Sequence, residues 1–215
     1  MPDTDPTEFS GDFMHAIVAQ RALARQQVAA AIAALGYDDG NWLPQGPSVL
    51  LQAVIVPGDK SAEGTLIESV ALPWFEIVAF LTHSPEAIYT IHWRKWEEII
   101  AAAYKREGYE VVLTPRSNDK GRDIIATKRG VGSVCFYDQV KAYGPGNLVT
   151  LEEVSAMLGV LSTRPNVSKG LITTTSSFAP GVLTDPELAR FIPHRLELKG
   201  REVLLPWLHA LANKR

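Results

Sequence analysis

Residues 123–141, which read DIIATKRGVGSVCFYDQVK, contain two short apolar runs separated by a glycine-containing turn. Each run has the length and composition of a β-strand, and the turn between them favours two adjacent strands. Because side chains alternate along a strand, Gln139 and Lys141 would share one face, where Asp123 from the neighbouring strand can join them. These are the fewest groups that a metal-dependent phosphodiesterase needs. Oxygen ligands hold a hard divalent cation, and a nearby ammonium can position or activate a water.

The segments around this stretch predict a mixed α/β fold. From residue 93 the order is a helix (93–108), three strands (110–113, 123–127 and 134–141), a helix (151–161) and a strand (169–174). Thr150 is placed to cap the second helix, with Glu153 three residues later as its capping-box partner. An α-β-β-β-α-β order gives a mixed sheet with a helix on each face.

Further motifs follow one another along the same part of the chain. They are WEEII (96–100), GYEV (108–111), NDKGRD (118–123), KGLITTTSSF (169–178) and a closing strand and helix at 195–198 and 202–208. In this order, and with these gaps, the chain from residue 96 to about residue 181 resembles the catalytic domain of Mrr-type restriction endonucleases, the branch of the PD-(D/E)xK nuclease superfamily that ends on Gln-x-Lys. Lys120, where the family usually has Gly, and Ala142, where a basic residue commonly follows Lys, depart from the pattern.

The resemblance implies a restriction-endonuclease-like mixed sheet flanked by helices. It also implies a DNA endonuclease of restriction or defence type that depends on Mg²⁺ or Mn²⁺ and leaves a 5′-phosphate. Cutting both strands of a duplex calls for two active sites, so the expected partners are DNA and a second copy of the chain. The same core also supports a structure-specific nuclease such as a junction resolvase, or a non-catalytic DNA-binding subunit that keeps the fold. No small-molecule organic cofactor is expected.

Three strand residues are the first candidates for the catalytic and metal site. Asp123 is expected to bind the metal directly, although an Asp here can also end a tight turn. Gln139 offers an uncharged amide oxygen, and the main-chain carbonyl of Val140 is a further candidate ligand. Lys141 would orient a water, stabilise developing charge or act as a base; the alternative is a strand-end lysine that reaches solvent.

A carboxylate carried by the first helix is expected to complete the metal site. Glu97 and Glu98 are the candidates, and their side chains point about 100° apart around the helix axis. The resemblance favours Glu97, because the family places its acidic residue directly after the aromatic one. Glu98 is the competing candidate.

Charge is unevenly distributed along the chain, whose formal net charge is −3. Residues 91–141 carry ten Lys or Arg and seven Asp or Glu, whereas the remaining residues carry eleven and seventeen. The candidate site thus lies in the basic part of the chain, as phosphate binding requires, although such an excess is also common on solvated faces. The candidates for contacts to the DNA backbone are Arg116, Lys120, Arg122, Thr175 and Ser176, for which surface charges and ordinary strand-end hydroxyls are the alternatives.

Residues 1–90 are expected to form a mainly helical extension of unknown role, followed by a catalytic domain at 91–215. Helices are predicted at 10–34, 74–81 and 85–89, residues 48–56 fit either a buried strand or a short helix, and residues 57–64 are predicted to be a loop. The single cysteine, Cys135, excludes an internal disulfide and is typical of a reducing compartment. With no long apolar run and no secretion signal, the sequence predicts a cytoplasmic protein without membrane contact.

Overall fold

The computed structural model describes residues 48–115 and 121–214. The chain divides into two compact units, Met1–Gly46 and Pro47–Arg215. The helix predicted at residues 10–34 lies outside the described residues, and all of the elements below belong to the second unit.

The described part of the second unit contains nine β-strands, seven of which form one extended mixed sheet. The strands are β1 (Ile55–Lys60), β2 (Thr65–Val70), β3 (Glu110–Leu113), β4 (Ile124–Lys128), β5 (Val134–Lys141), β6 (Leu148–Val149), β7 (Lys169–Thr174), β8 (Ser177–Phe178) and β9 (Leu196–Lys199). Seven of them form the sheet, in the order β1-β2-β3-β4-β5-β7-β9. Neighbours from β1 to β5 are antiparallel, whereas β7 runs parallel to β5 and β9 parallel to β7. Strands β6 and β8 form a separate parallel pair.

Helices occupy both faces of this sheet. They are α1 (Leu72–His83), α2 (Trp93–Arg106), α3 (Leu151–Ser162), α4 (Pro180–Thr184), α5 (Pro186–Ala189) and α6 (Arg201–Asn213), with short 3-10 helices at Ser48–Leu51 and Pro85–Tyr89. Across the described residues, none of these helices has both the length and the apolar character needed to cross a bilayer.

Two hydrophobic cores form, one on each side of the sheet. The first contains apolar residues of α1, α2 and α6, among them Trp74, Trp96, Ile100, Leu204 and Leu208. The second lies under α3, α4 and α5 and includes Val154, Met157, Leu161, Ile172 and Leu196. The two buried indoles donate hydrogen bonds to main-chain carbonyls, of Ile99 at 2.9 Å and of Ile88 at 3.1 Å, so their burial leaves no polar group unpaired.

Strand β5 contributes side chains to both cores. Phe136 and Val140 pack against the first core, whereas Tyr137 belongs to the second. Because side chains alternate along a strand, Gln139 and Lys141 lie on the same face as Tyr137, which is the face covered by α3. The end of β5 therefore presents the Gln-x-Lys side chains towards the start of α3.

The predicted α-β-β-β-α-β core is confirmed. Helix α2, strands β3, β4 and β5, helix α3 and strand β7 follow in that order, and their bounds lie within one or two residues of the predicted ones. The predicted capping box is present at the start of α3: the Thr150 hydroxyl accepts from the Glu153 N–H, and the Glu153 carboxylate accepts from the Thr150 N–H. These elements form as expected because their local signals and their burial agree.

The region before α1 differs from the prediction. A loop is predicted at residues 57–64, but Pro57 and Gly58 lie inside β1. Strand β2 is not predicted from the sequence. Strand β1 lies at the edge of the sheet, and its register with β2 shifts on both sides of Pro57. An edge strand with such irregularities tolerates proline, because no further strand requires the missing N–H.

The predicted domain boundary at residue 90 falls inside the second unit, which begins at Pro47. Strand β2 pairs with β3 through Thr65 opposite Leu113 and Leu66 opposite Val112. Residues 48–90 are therefore part of the same sheet and core as the predicted catalytic segment. They form a 3-10 helix, the β1–β2 hairpin, α1 and a second 3-10 helix.

Candidate functional site

Asp123 lies immediately before β4, at the point where this strand meets the end of β5. Its main chain is fixed on both sides, since its N–H donates to the Asp138 carbonyl and its carbonyl accepts from the Thr114 N–H, each at 2.9 Å. Its carboxylate oxygen Oδ2 accepts a hydrogen bond from the Val140 N–H at 2.7 Å. The structure thus brings the Asp123 carboxylate to the main chain of β5 between Gln139 and Lys141.

The main chain of Val140 is directed to the same place. In an antiparallel pair, the N–H and C=O of one residue face the same neighbouring strand. The Val140 carbonyl therefore points to the β4 side, where the Asp123 carboxylate is bound. By contrast, the Lys141 carbonyl faces β7, because it accepts from the Thr174 hydroxyl at 2.8 Å and from the Thr175 N–H at 3.2 Å.

Lys141 forms an ion pair with Glu153, for which the sequence predicts only a role in capping a helix. Its Nζ lies 3.2 Å from Oε1 of Glu153 in α3, and its side chain is 21% exposed. The same Oε1 accepts a hydrogen bond from the Tyr143 hydroxyl. Lys141 is therefore held between the end of β5 and the start of α3 instead of extending freely into solvent.

The ionised state of Glu153 follows from these donors. Burial opposes ionisation of this carboxyl, but hydrogen bonds from the Thr150 N–H, the Tyr143 hydroxyl and Lys141 outweigh it and lower its pKa to about 2. Burial, together with the bond to the Glu153 carboxylate, raises the pKa of Tyr143 to about 12. The pair is a carboxylate and a neutral phenol at neutral pH.

Glu97 is almost fully buried on α2 and forms an ion pair with Arg94. The Arg94 guanidinium also donates to the Thr114 carbonyl at 3.4 Å, and the Thr114 N–H binds the Asp123 carbonyl. Glu98 instead pairs at 2.7 Å with Lys95, whose ammonium donates to the Gln52 carbonyl. These contacts connect Glu97 with the Asp123 end of the sheet, whereas Glu98 is directed towards the segment before β1.

A second buried polar cluster holds β5 from the α2 face. Asp138 Oδ2 accepts from the Tyr104 and Thr173 hydroxyls, each at 2.8 Å. Burial raises the pKa of the Asp138 carboxyl, while the nearby Lys199 ammonium and both hydroxyls act in the opposite direction. Lys199 is also buried and lies 3.5 Å from the centre of the Trp207 ring. No local sequence pattern indicates this cluster, because its members come from five separate elements.

Three of the residues proposed to contact DNA, Arg122, Thr175 and Ser176, lie in the interior. Arg122 is 2% exposed, pairs with Glu63 and places its guanidinium carbon 4.7 Å from the centre of the Tyr137 ring. Thr175 and Ser176 are buried, and the Thr175 hydroxyl donates to the Tyr143 carbonyl at 2.8 Å. Arg116 and Lys120 lie outside the described residues.

The residues at this end of the sheet suit a hard divalent cation. Two carboxylates, of Asp123 and Glu97, the Gln139 amide and the Val140 carbonyl supply oxygen donors only, as Mg²⁺ and Mn²⁺ prefer. Within residues 48–115 and 121–214, no three His, Cys, Asp or Glu side chains cluster in a way that could hold a metal. A metal at this position would therefore need the neutral oxygens of Gln139 and Val140 as well as the acids.

One family model of known proteins matches about half of this chain. Residues 88–193 match the family model of the Mrr catalytic domain, a restriction endonuclease. The match confirms the predicted resemblance, and it begins close to the start of the predicted catalytic segment.

Three proteins similar to this chain are longer than it. An uncharacterized protein of Sinorhizobium fredii, y4cE, is 25% identical over 130 residues, which cover 60% of this chain and 32% of that protein. Among solved structures, the DNA modification-dependent restriction endonuclease AspBHI matches with a TM-score of 0.43 and 20% identity. The matched part is 66% of this chain and 36% of the AspBHI chain. The MspJI restriction endonuclease, solved with a 27-mer oligonucleotide, matches with a TM-score of 0.37 and 19% identity. The matched part is 65% of this chain and 31% of the MspJI chain. The chain spans about a third of the length of each of these three proteins.

Proposed function

From the match of residues 88–193 to a restriction-endonuclease domain, we propose that this chain is a metal-dependent DNA endonuclease of restriction or defence type. The observation that carries the proposal is the hydrogen bond from the Val140 N–H to the Asp123 carboxylate. It supports an arrangement in which Asp123, Gln139 and Lys141 act together at one end of the sheet. The reaction is hydrolysis of a phosphodiester bond.

The Asp123 carboxylate, the Gln139 amide oxygen, the Val140 carbonyl and Glu97, directly or through water, are the proposed ligands of Mg²⁺ or Mn²⁺. When bound, the cation supplies Lewis-acid polarisation of the phosphate and a lower pKa for a bound water. Gln139 contributes no charge, so the acids provide all of the protein's negative charge around the cation. Arg94, which pairs with Glu97, has to share that carboxylate when a metal binds.

Lys141 is the proposed catalytic cation. Its ammonium carries three donors, so it can contact Glu153 and still reach a phosphate oxygen or a water. A positive charge fixed beside the reacting phosphate stabilises the negative charge that develops on its oxygens. Lys141 would therefore orient the attacking water and stabilise the transition state without leaving its strand.

Cleavage of both strands of a duplex needs two such sites, so the proposal includes a homodimer on DNA. A DNA substrate and a single free cysteine, Cys135, agree with a reducing, cytoplasmic setting.

Plasmid cleavage tests the proposed function. Supercoiled plasmid, unmodified or cytosine-methylated, and a branched duplex are incubated with Mg²⁺ or Mn²⁺, with EDTA as the metal-free arm. We expect metal-dependent nicking and linearisation by the wild type, and a loss of roughly 100-fold or more in Asp123→Asn and Lys141→Ala, the scale for losing one electrostatic active-site group. The asparagine keeps an oxygen acceptor for the Val140 N–H, so it removes charge with little change of shape.

Lys169→Ala is the matched control for Lys141→Ala. Lys169 stands at the opposite end of the neighbouring strand β7, is similarly exposed, and also pairs with a glutamate, Glu197, at 2.9 Å. It should leave cleavage unchanged. A wild-type protein that cuts none of these substrates with either metal would overturn the proposal, and cleavage confined to the branched duplex would replace it with a structure-specific nuclease.

A further inference from the structure

The carboxylate of Glu153 serves two partners with its two oxygens. Oε2 accepts from the Thr150 N–H at 2.9 Å and from the Thr150 hydroxyl at 3.1 Å, which closes the capping box of α3. Oε1 faces the other way, towards the Lys141 ammonium at 3.2 Å and the Tyr143 hydroxyl. A helix cap alone requires only the first oxygen.

The two residues that contact Oε1, Lys141 and Tyr143, have main chains held by hydrogen bonds. Lys141 ends β5, and its carbonyl is held by the Thr174 hydroxyl and the Thr175 N–H. The Tyr143 carbonyl accepts from the Thr175 hydroxyl at 2.8 Å. Because the hydroxyls of Thr174, the last residue of β7, and of Thr175 hold this short segment, the main-chain positions of Lys141 and Tyr143 are fixed.

A lysine head group on four methylenes is otherwise mobile, and ordering such a side chain costs conformational entropy. A carboxylate on a capped helix end is a rigid counter-charge for it. The Glu153 carboxyl remains ionised throughout the neutral range, since its hydrogen bonds hold its pKa far below that range. The Tyr143 hydroxyl fixes the orientation of the same oxygen.

We propose that Glu153 and Tyr143 are positioning residues for Lys141, which keep its ammonium at the Asp123 end of β5 during DNA cleavage. This inference rests on the proposed function. It assigns to the start of α3 a role in catalysis that goes beyond capping the helix. Glu153 acts only through Lys141 and makes no contact with the reacting phosphate.

The variant Glu153→Gln separates the two roles of this residue. Glutamine also closes a capping box, because its amide oxygen accepts from the Thr150 N–H. Its NH₂ group then faces Lys141, where it cannot accept a hydrogen bond. Glu152→Gln is the matched control: it removes the same charge from the same helical turn, and its side chain lies exposed.

Cleavage kinetics and amine labelling test the inference on the full-length protein. In Glu153→Gln we expect kcat for plasmid cleavage to fall roughly 10- to 100-fold, the range for residues that orient active-site groups, with KM nearly unchanged. Tyr143→Phe, which keeps the ring, should show a smaller fall of the same kind. Reductive methylation of Lys141, followed by peptide mass spectrometry, should become several-fold faster in Glu153→Gln, with Lys169 as the internal reference.

Each outcome separates this inference from the proposed function. Equal kcat in the wild type and Glu153→Gln, a rise in kcat, or equal labelling of Lys141 overturns the positioning role while leaving the nuclease intact. An equal fall of kcat in Glu152→Gln overturns it too, because the effect would then be one of general charge. Absence of cleavage by the wild type refutes the proposed function, and the role in cleavage falls with it, whatever the labelling shows.

Discussion

Asp123 and Asp138 are carboxylates at the same strand junction with opposite surroundings. Asp138 is 1% exposed and is enclosed by Tyr104 and Thr173, and burial raises its pKa. Asp123 is only half-buried, stands at the end of β4 and accepts from a main-chain N–H. The Asp138 carboxylate fixes the position of β5 from inside the protein, whereas the Asp123 carboxylate lies at the partly exposed end of β4.

The buried cluster leads to a prediction about stability. Lys199→Met removes a buried cation near Asp138 while keeping an unbranched side chain against Trp207. We expect a loss of about 3 kcal/mol in the free energy of unfolding, because an almost fully buried Asp138 is left without this opposite charge. Urea denaturation measures it.

Lys169→Met is the control for this change, since the Lys169–Glu197 pair is partly exposed and should contribute roughly 0–1 kcal/mol. Equal losses of stability in Lys199→Met and Lys169→Met would show that Asp138 does not depend on Lys199.

At the scale of single residues, spacing in the sequence predicts which side chains share one face of a strand or of two neighbouring strands. Asp123, Gln139 and Lys141 were identified in this way, because alternation along strands is a local property. The burial of Arg122 and Thr175 was not predictable, since Arg122 contacts Glu63 and Tyr137 and Thr175 binds Tyr143, all of which are distant along the chain. The second partner of Glu153 was missed for the same reason: the capping-box pattern indicates only the local contact.

At the scale of elements, the hairpin β1–β2 adds two strands to the sheet beside β3. Its closing turn places Gly64 against the main chain of β3, with a φ of +151°. A Cβ at this position would lie 2.2 Å from the Leu113 carbonyl oxygen. Only glycine allows this close approach, and Leu113 directly precedes Thr114, whose N–H binds Asp123.

Gly64→Ala should therefore destabilise the protein strongly. We expect a backbone-strain cost of about 1–3 kcal/mol and a further cost of about 1–3 kcal/mol for the clash with β3. Gly130→Ala is the matched control, because Gly130 has a similar φ of +142° but open space around its Cβ position.

Thermal or urea unfolding of both variants isolates the packing contribution. Equal destabilisation by the two substitutions would contradict the close contact between Gly64 and β3.

The same hairpin shows why part of the fold could not be predicted. Helix α3 and strands β3, β5 and β7 agree with the expected elements, because capping residues and apolar runs act over a few neighbouring positions. Strand β1 contains Pro57 and Gly58, which are turn signals in isolation. Only its place at the edge of the sheet makes the strand possible, and that place depends on pairing with distant residues of β3 through β2.

At the scale of the whole molecule, the candidate site lies where elements from both faces of the sheet meet. Helix α2 carries Glu97 on one face, and α3 carries Glu153, which contacts Lys141, on the other. Asp123 directly precedes β4, and its carboxylate binds the Val140 N–H of β5. We propose that a divalent cation binds here among Asp123, Gln139, the Val140 carbonyl and Glu97.

Anomalous diffraction from crystals soaked in Mn²⁺ tests this claim most directly, with Asp123→Asn crystals as the control. We predict one strong peak in the wild type at coordination distance, about 2.0–2.3 Å, from the Asp123 carboxylate and the Val140 carbonyl, and a weak or absent peak in the variant. A map without density beside Asp123, or with an equal peak in both crystals, would contradict the account.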